Sequence, residues 1–170
     1  MLRIVRRLLW VTLLSLFALS TNPVIVAAQE NTPGPDVLKV VYHADFADPR
    51  RFSAMLTSIY NMATTYEDML VDYDIRIVFV AHGIRFITDN KLENTPFATD
   101  AALAERRENL RGRLKSLYST KGIKLELCDI TRRAVNVEKN KFYKMVNYVE
   151  SGVVRVAELQ RKGYAYLKVE

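Results

Sequence analysis

The sequence contains a single cysteine, Cys128, so no disulfide can form within the chain, and the small disulfide-stapled folds are excluded. Six glycines and five prolines in 170 residues rule out collagen-like and low-complexity architectures. The glycines are widely scattered, and neither G-x-G-x-x-G nor G-x-x-x-x-G-K-[ST] occurs, which removes the main support for dinucleotide or nucleoside-triphosphate binding. G-x-S-x-G, the signature of the α/β-hydrolases, is missing, and one cysteine cannot make the C-x-x-C of a dithiol oxidoreductase. What is present is 49% apolar and 26% charged residues, the balance of an ordinary globular domain. A chain of this size removes roughly 70% of its unfolded surface from water on folding and needs no staple to form a core.

The amino terminus reads as a separate object. Arg3, Arg6 and Arg7 precede an apolar run from Leu8 to Leu19, which Ser20-Thr21-Asn22-Pro23 interrupts before Val24-Ile25-Val26-Ala27-Ala28. The run is shorter than the roughly 20 residues of a bilayer span, so residues 1–28 are expected to be a signal peptide cleaved after Ala28. An uncleaved amino-terminal anchor containing Pro23 is the competing reading; either way the remainder is expected outside the cytoplasm, periplasmic or secreted. Cleavage would remove three arginines and no acid, leaving 22 basic against 19 acidic residues, a net charge of +3 rather than +6. Nucleic-acid binding is therefore not expected, nor a membrane association after cleavage. The cluster Arg106, Arg107, Arg111, Arg113 and Lys115 is interleaved with Glu105 and Glu108, without aromatics, and reads as a solvated helix face.

Residues 29–36 (QENTPGPD) read as a flexible lead-in, and one α/β domain is expected over 37–170. Leu38 to His43 is short, β-branched and aromatic, as in a strand. Asp48-Pro49 supplies a cap and a first-turn proline for a helix carrying Phe52, Met55, Leu56, Ile59, Ala63 and Tyr66 at helical spacing. Tyr73 to His82 reads as a second strand ended by Gly83, and Ile84 to Pro96 as an irregular connection. A helix capped by Thr99 or Asp100 closes at Lys121-Gly122. Ile123 to Cys128 reads as a third strand, Asp129 to Arg133 as a short helical turn, and Met145 to Val149 as a fourth strand. Ser151 caps a last helix, and Tyr164 to Val169 reads as a final strand. This alternation predicts a mostly parallel sheet with helices on both faces.

In such a sheet ligands bind beyond the carboxyl ends of the strands. His43, His82 and Cys128, which are both histidines and the only cysteine, are all expected at strand ends on that edge. Cys128 has two readings. It is a small buried hydrophobe, or a reactive thiol whose thiolate form is favoured by the helical turn after it and by Arg132 and Arg133. The histidines are hydrogen-bonded loop-entry residues or proton-transfer groups. A zinc or copper site on His43, His82 and Cys128 has the right donor types, but local spacing does not require it, and no metal or other cofactor is expected.

The segment Gly122-Ile-Lys-Leu-Glu-Leu-Cys128-Asp-Ile-Thr131-Arg132-Arg133 resembles the DsrE/DsrF-like family of small α/β sulfur-relay subunits. Lys39-Val-Val-Tyr-His43, Val78-Phe-Val-Ala-His82-Gly83 and Leu159-Gln-Arg-Lys-Gly163-Tyr-Ala-Tyr-Leu agree, so the likeness spans nearly all of 37–169 and is similar to an exported single-cysteine branch. The resemblance implies a three-layer α/β/α sandwich with a five-stranded sheet, and association into trimers or hexamers. It also implies a persulfide on the cysteine that matches Cys128, exchanged with sulfur donor and acceptor proteins. Thr131, Arg132 and Gly83 are then candidate binding residues beside that thiol. A sulfur carrier or sulfurtransferase is the expectation; a non-catalytic small-ligand-binding or assembly module on the same fold is the alternative.

Overall fold

The computed structural model describes residues 37–170; the expected signal peptide and lead-in lie outside the described residues. Five strands alternate with helices: β1 (Leu38–Ala44), α1 (Pro49–Asp68), β2 (Tyr73–Phe79), α2 (Ala101–Lys121), β3 (Lys124–Cys128), α3 (Asp129–Ala134), β4 (Val146–Val149), α4 (Gly152–Arg161) and β5 (Ala165–Leu167). The sheet order is β4-β3-β2-β1-β5 and every neighbouring pair is parallel. This is the mostly parallel five-stranded α/β sheet that the sequence predicts. Among the described residues no helix is long and apolar enough to cross a membrane.

The two faces of the sheet differ because successive side chains of a strand point to opposite sides. Val40, Tyr42 and Ala44 of β1 join Ile75, Ile77 and Phe79 of β2 under α1 and α2, in the larger core. Here Phe52 stacks on Phe86 with ring centroids 4.1 Å apart and meets Phe79 edge-on. Val41 and Val78 face the other way and pack with Val156 and Leu159 of α4 and with Tyr164. The long helices form as their caps dictate. The Asp48 carboxylate accepts from the Arg50 N–H at 2.7 Å with Pro49 in the first turn, Asp100 accepts from the Leu103 N–H at 2.8 Å, and Gly122 ends α2 at φ +65°.

Two expectations are corrected. The second strand ends at Phe79 rather than His82; the chain turns at Ala81 with φ +48°, and Ala81–Phe86 is a 3-10 helix. Ile84 and Phe86 in that helix and Ile87 just after it are buried, so the apolar run outlasts the strand. The last strand is only three residues long, Ala165–Leu167, at the sheet edge.

The basic cluster on α2 is not simply a solvated face. Arg107 donates to the carbonyls of Arg85 and Thr88 and to the Thr99 hydroxyl, Arg113 donates to Ser53 and Thr57 of α1, and Arg111 pairs with Asp89 at 3.0 Å. These arginines tie α2 to its neighbours.

Candidate functional site

Cys128 is the last residue of β3 and the residue from which α3 starts, on the α4 side of the sheet. It is only 4% exposed. The roof over it is the first turn of α4, and that approach depends on Gly152. A Cβ on Gly152 would lie 2.4 Å from Val80 Cγ2 and 3.0 Å from Cys128 Cβ, so only a residue without a side chain lets the helix settle here.

A charge network holds that helix. Glu126, two residues before Cys128 and on the same face of β3, is 4% exposed. Its carboxylate accepts from Arg155 of α4 at 2.7 and 2.9 Å and from Arg76 of β2 at 2.8 Å. Arg76 is held in turn by Asp74 at 2.8 and 2.9 Å and by the Tyr164 hydroxyl at 3.0 Å, and Lys124 reaches Asp74 at 2.6 Å. Burial pushes the Glu126 carboxyl up, but the hydrogen bonds from Arg155 and Arg76 outweigh it and leave the group below the usual carboxylate range. Asp74 is likewise pushed up by burial but pulled further down by Arg76, Lys124 and Tyr164, to about 2.

A single tether fixes the other wall of the site. Thr131, 7% exposed, accepts through its hydroxyl from the N–H of Ala81 at 3.1 Å. The left-handed turn after β2 is thereby fastened to α3, one turn from the thiol. Gly83 packs against the end of β1, where a Cβ would lie 1.9 Å from the Ala44 carbonyl oxygen. Gly83 and Thr131 thus shape the edge.

The arginines expected to support a thiolate are already committed. Arg132 donates to Asp129 at 2.5 and 3.2 Å and to the Val137 carbonyl at 2.8 Å, while Arg133 lies 3.6 Å from Asp129 and pairs with Glu150. The Arg132 guanidinium holds the Asp129 carboxyl below its ordinary value. The charge is therefore balanced locally, by acids three and four residues away on the same short helix and in the loop before α4.

The histidines are not gathered at the thiol. His43 pairs in register with Val78, and Val78 with Glu126, so His43 sits two strands from β3 and one row below Cys128. Strand spacing puts its Cα roughly 12 Å from that of Cys128, beyond a direct hydrogen bond. Its Nδ1 is 3.5 Å from the Tyr166 hydroxyl, and its Nε2 is buried without a partner. His82 lies in the 3-10 helix with its ring edge-on to Phe97, centroids 5.1 Å apart. Among the described residues no group of three or more His, Cys, Asp or Glu side chains could hold a metal ion, so the three-residue metal reading has no ligand set.

A single thiol at the carboxyl end of a parallel strand, roofed by a helix start, is a geometry that can be compared with known proteins. The DsrE/DsrF-like family model matches residues 36–169. The chain belongs to the DsrE/DsrF-like family. That family is associated in general with sulfur relay. Two solved structures share the fold of this DsrE/DsrF-like chain. One is MTH1491 of Methanobacterium thermoautotrophicum, a protein of unknown function, with TM-score 0.59 and 21% identity over 77% of this chain and 98% of the other. The second is the YchN protein of E. coli, with TM-score 0.50 and 14% identity over 78% of this chain and 99% of the other. No curated protein matches the chain by sequence.

Sequence reading missed Gly152, Glu126, Arg155 and Ala81. The acid in Lys-Leu-Glu-Leu-Cys was a signal that could have been used, because a carboxylate on a strand covered on both faces requires a buried cation. Nothing local marks Gly152, whose role depends on where α4 lands.

Proposed function

We propose that this chain is an exported sulfur carrier or sulfurtransferase of the DsrE/DsrF-like family that bears its sulfur as a persulfide on Cys128. The observation that carries the reading is the placement of the chain's only thiol at the end of β3, beneath the first turn of α4 and beside the tethered Ala81 turn. The Cys128 thiolate attacks the outer sulfur of a donor R–S–SH; the donor S–S bond breaks, RS⁻ leaves, and Cys128 holds –S–SH. An acceptor thiolate then attacks that outer sulfur, takes it, and returns Cys128 as thiolate. Neither step is a net oxidation, and neither needs a second thiol in this chain. Proton exchange falls to solvent or to the partners, because His43 is two strands away and His82 is turned onto Phe97. In this reading residues 1–28 are removed after Ala28, and the domain works in the periplasm or outside the cell as a homotrimer or homohexamer.

The 4% exposure of Cys128 favours a second reading, a ligand-binding or assembly module with a structural thiol. Carrier chemistry requires the first turn of α4 to open locally, at a free energy below that of global unfolding. Iodoacetamide alkylation followed by intact mass separates the two. A carrier is alkylated under native conditions and gains one sulfur from polysulfide, which Cys128→Ser abolishes. A structural thiol reacts only as fast as the whole protein unfolds, and gains none.

A further inference from the structure

A cavity of about 1030 Å³ lies away from Cys128, between the outward flank of α2 and the segment 140–145 that leads into β4. Its volume is at the upper end of the range for small-molecule sites. One wall is a stripe of α2 at helical spacing: Glu108, Arg111, Gly112, Lys115 and Tyr118. The core stripe Leu103, Leu110, Leu114 and Leu117 points elsewhere, so no core packing depends on this flank.

The opposite wall is pinned. Phe142, 5% exposed, bridges to Thr88, the Thr88 hydroxyl donates to the Lys141 carbonyl at 2.6 Å, and the Tyr143 N–H donates to the Ile87 carbonyl at 3.0 Å. Asp89 joins the walls, accepting from the Tyr143 hydroxyl at 2.9 Å and from Arg111 at 3.0 Å. The cleft is therefore held open by hydrogen bonds rather than by chance.

Two features point to a ligand. Gly112 lies mid-helix, where glycine is disfavoured relative to alanine. No neighbour demands it, since a Cβ there would meet nothing within 4 Å. A glycine without a structural reason, on the wall of a cavity, leaves the helix backbone open to something that approaches it closely. The second feature is charge. Asp89 is satisfied by Arg111 and Tyr143, and the one unpaired acid of the lining, Glu108, stands against two ammonium groups, Lys115 and Lys144, neither of which has an ion-pair partner among the described residues. These two ammonium groups share the cleft with the apolar surface of Phe142, Met145 and Tyr118, the last 45% exposed.

We infer that this cleft binds an amphipathic organic anion: a flat apolar body against Gly112, Phe142 and Tyr118, with a carboxylate or sulfonate met by Lys115 and Lys144. The site is separate from the thiol, and the inference stands whether or not Cys128 carries sulfur. Anilinonaphthalenesulfonate, an aryl sulfonate, is the probe. It is titrated by calorimetry into the full chain, the Lys115→Glu/Lys144→Glu double variant, and Gly112→Phe, which fills the cleft from its open side. Arg50→Glu, a charge reversal at an exposed position in the first turn of α1 and outside the cleft, is the control for folding and for net charge.

The expected result is one probe per chain, bound about tenfold or more weakly by both the double variant and Gly112→Phe and within about threefold of the parent by Arg50→Glu. All variants should keep the parent's cooperative thermal unfolding. No binding, binding unchanged in either weakened variant, or equal binding of the probe's uncharged parent arene would overturn the inference.

Discussion

Gly152→Ala is the substitution through which the Cys128 site can be probed most sharply. Ordinary van der Waals contact begins near 3.4 Å, and the new methyl would stand 2.4 Å from Val80 Cγ2 and 3.0 Å from Cys128 Cβ, so the first turn of α4 must lift by about 1 Å. Val80 is stiff at χ1 and cannot rotate away cheaply. Overpacking of this kind costs about 1–3 kcal/mol, offset in part by the alanine preference of a helix, so a net loss of about 1–2 kcal/mol is expected. Because Arg155 still anchors α4 to Glu126 three residues on, the helix should tilt at its start rather than detach. Urea unfolding should show a lower midpoint at unchanged m, and iodoacetamide should alkylate Cys128 in the folded variant several-fold faster than in the parent. An unchanged midpoint together with an unchanged alkylation rate would refute the roofing of the thiol by α4.

Glu126→Gln leaves Arg155 and Arg76 short of a buried anion, though Arg76 keeps Asp74, and should cost about 3 kcal/mol, read as a shift of the urea midpoint; a neutral effect would show that the network does not hold α4. Acid should act on the same network. Both Glu126 and Asp74 have carboxyls depressed in the folded state, so their stabilisation is complete above their unfolded values of roughly 4 and is lost as pH falls through their folded-state values, about 2 for Asp74. Asp74, partly screened by solvent, should account for about 1–2 kcal/mol of this, and a stability curve flat from pH 5 to pH 2 would contradict it. Thr131→Val removes the acceptor for the Ala81 N–H while keeping the shape, and should cost about 1–3 kcal/mol in urea unfolding; no loss would mean the left-handed turn needs no tether.

Much of the fold was legible because its punctuation is local. Asp48-Pro49, Asp100 and Lys121-Gly122 bound the two long helices, and the alternation of strand and helix patterns dictated a parallel sheet. The second strand was read too long because hydrophobic periodicity reports burial, not backbone conformation. Val80, Ala81 and His82 continue the apolar run of β2 and are half-buried, yet the chain turns there, at Ala81 with φ +48°. The edge that carries Cys128 followed from topology alone, but the neighbours of the thiol did not. His43 lies on an adjacent region of the same face, yet rows and strands separate it from Cys128 in a way that only the register reveals. The quenching of Arg132 by Asp129 was in principle visible at i, i+3 spacing on the short helix, whereas the approach of Gly152 depends on the docking of α4 and has no local trace.

The central claim is that Cys128 carries transferable sulfur, and cyanolysis measures it directly. The purified protein is incubated with polysulfide, freed of excess donor, and treated with cyanide, which converts a persulfide's outer sulfur to thiocyanate. The account predicts one thiocyanate per chain from the parent, none from Cys128→Ser, and none from the parent after an acceptor thiol has been added and removed. Thiocyanate from neither protein, or equally from both, would contradict it.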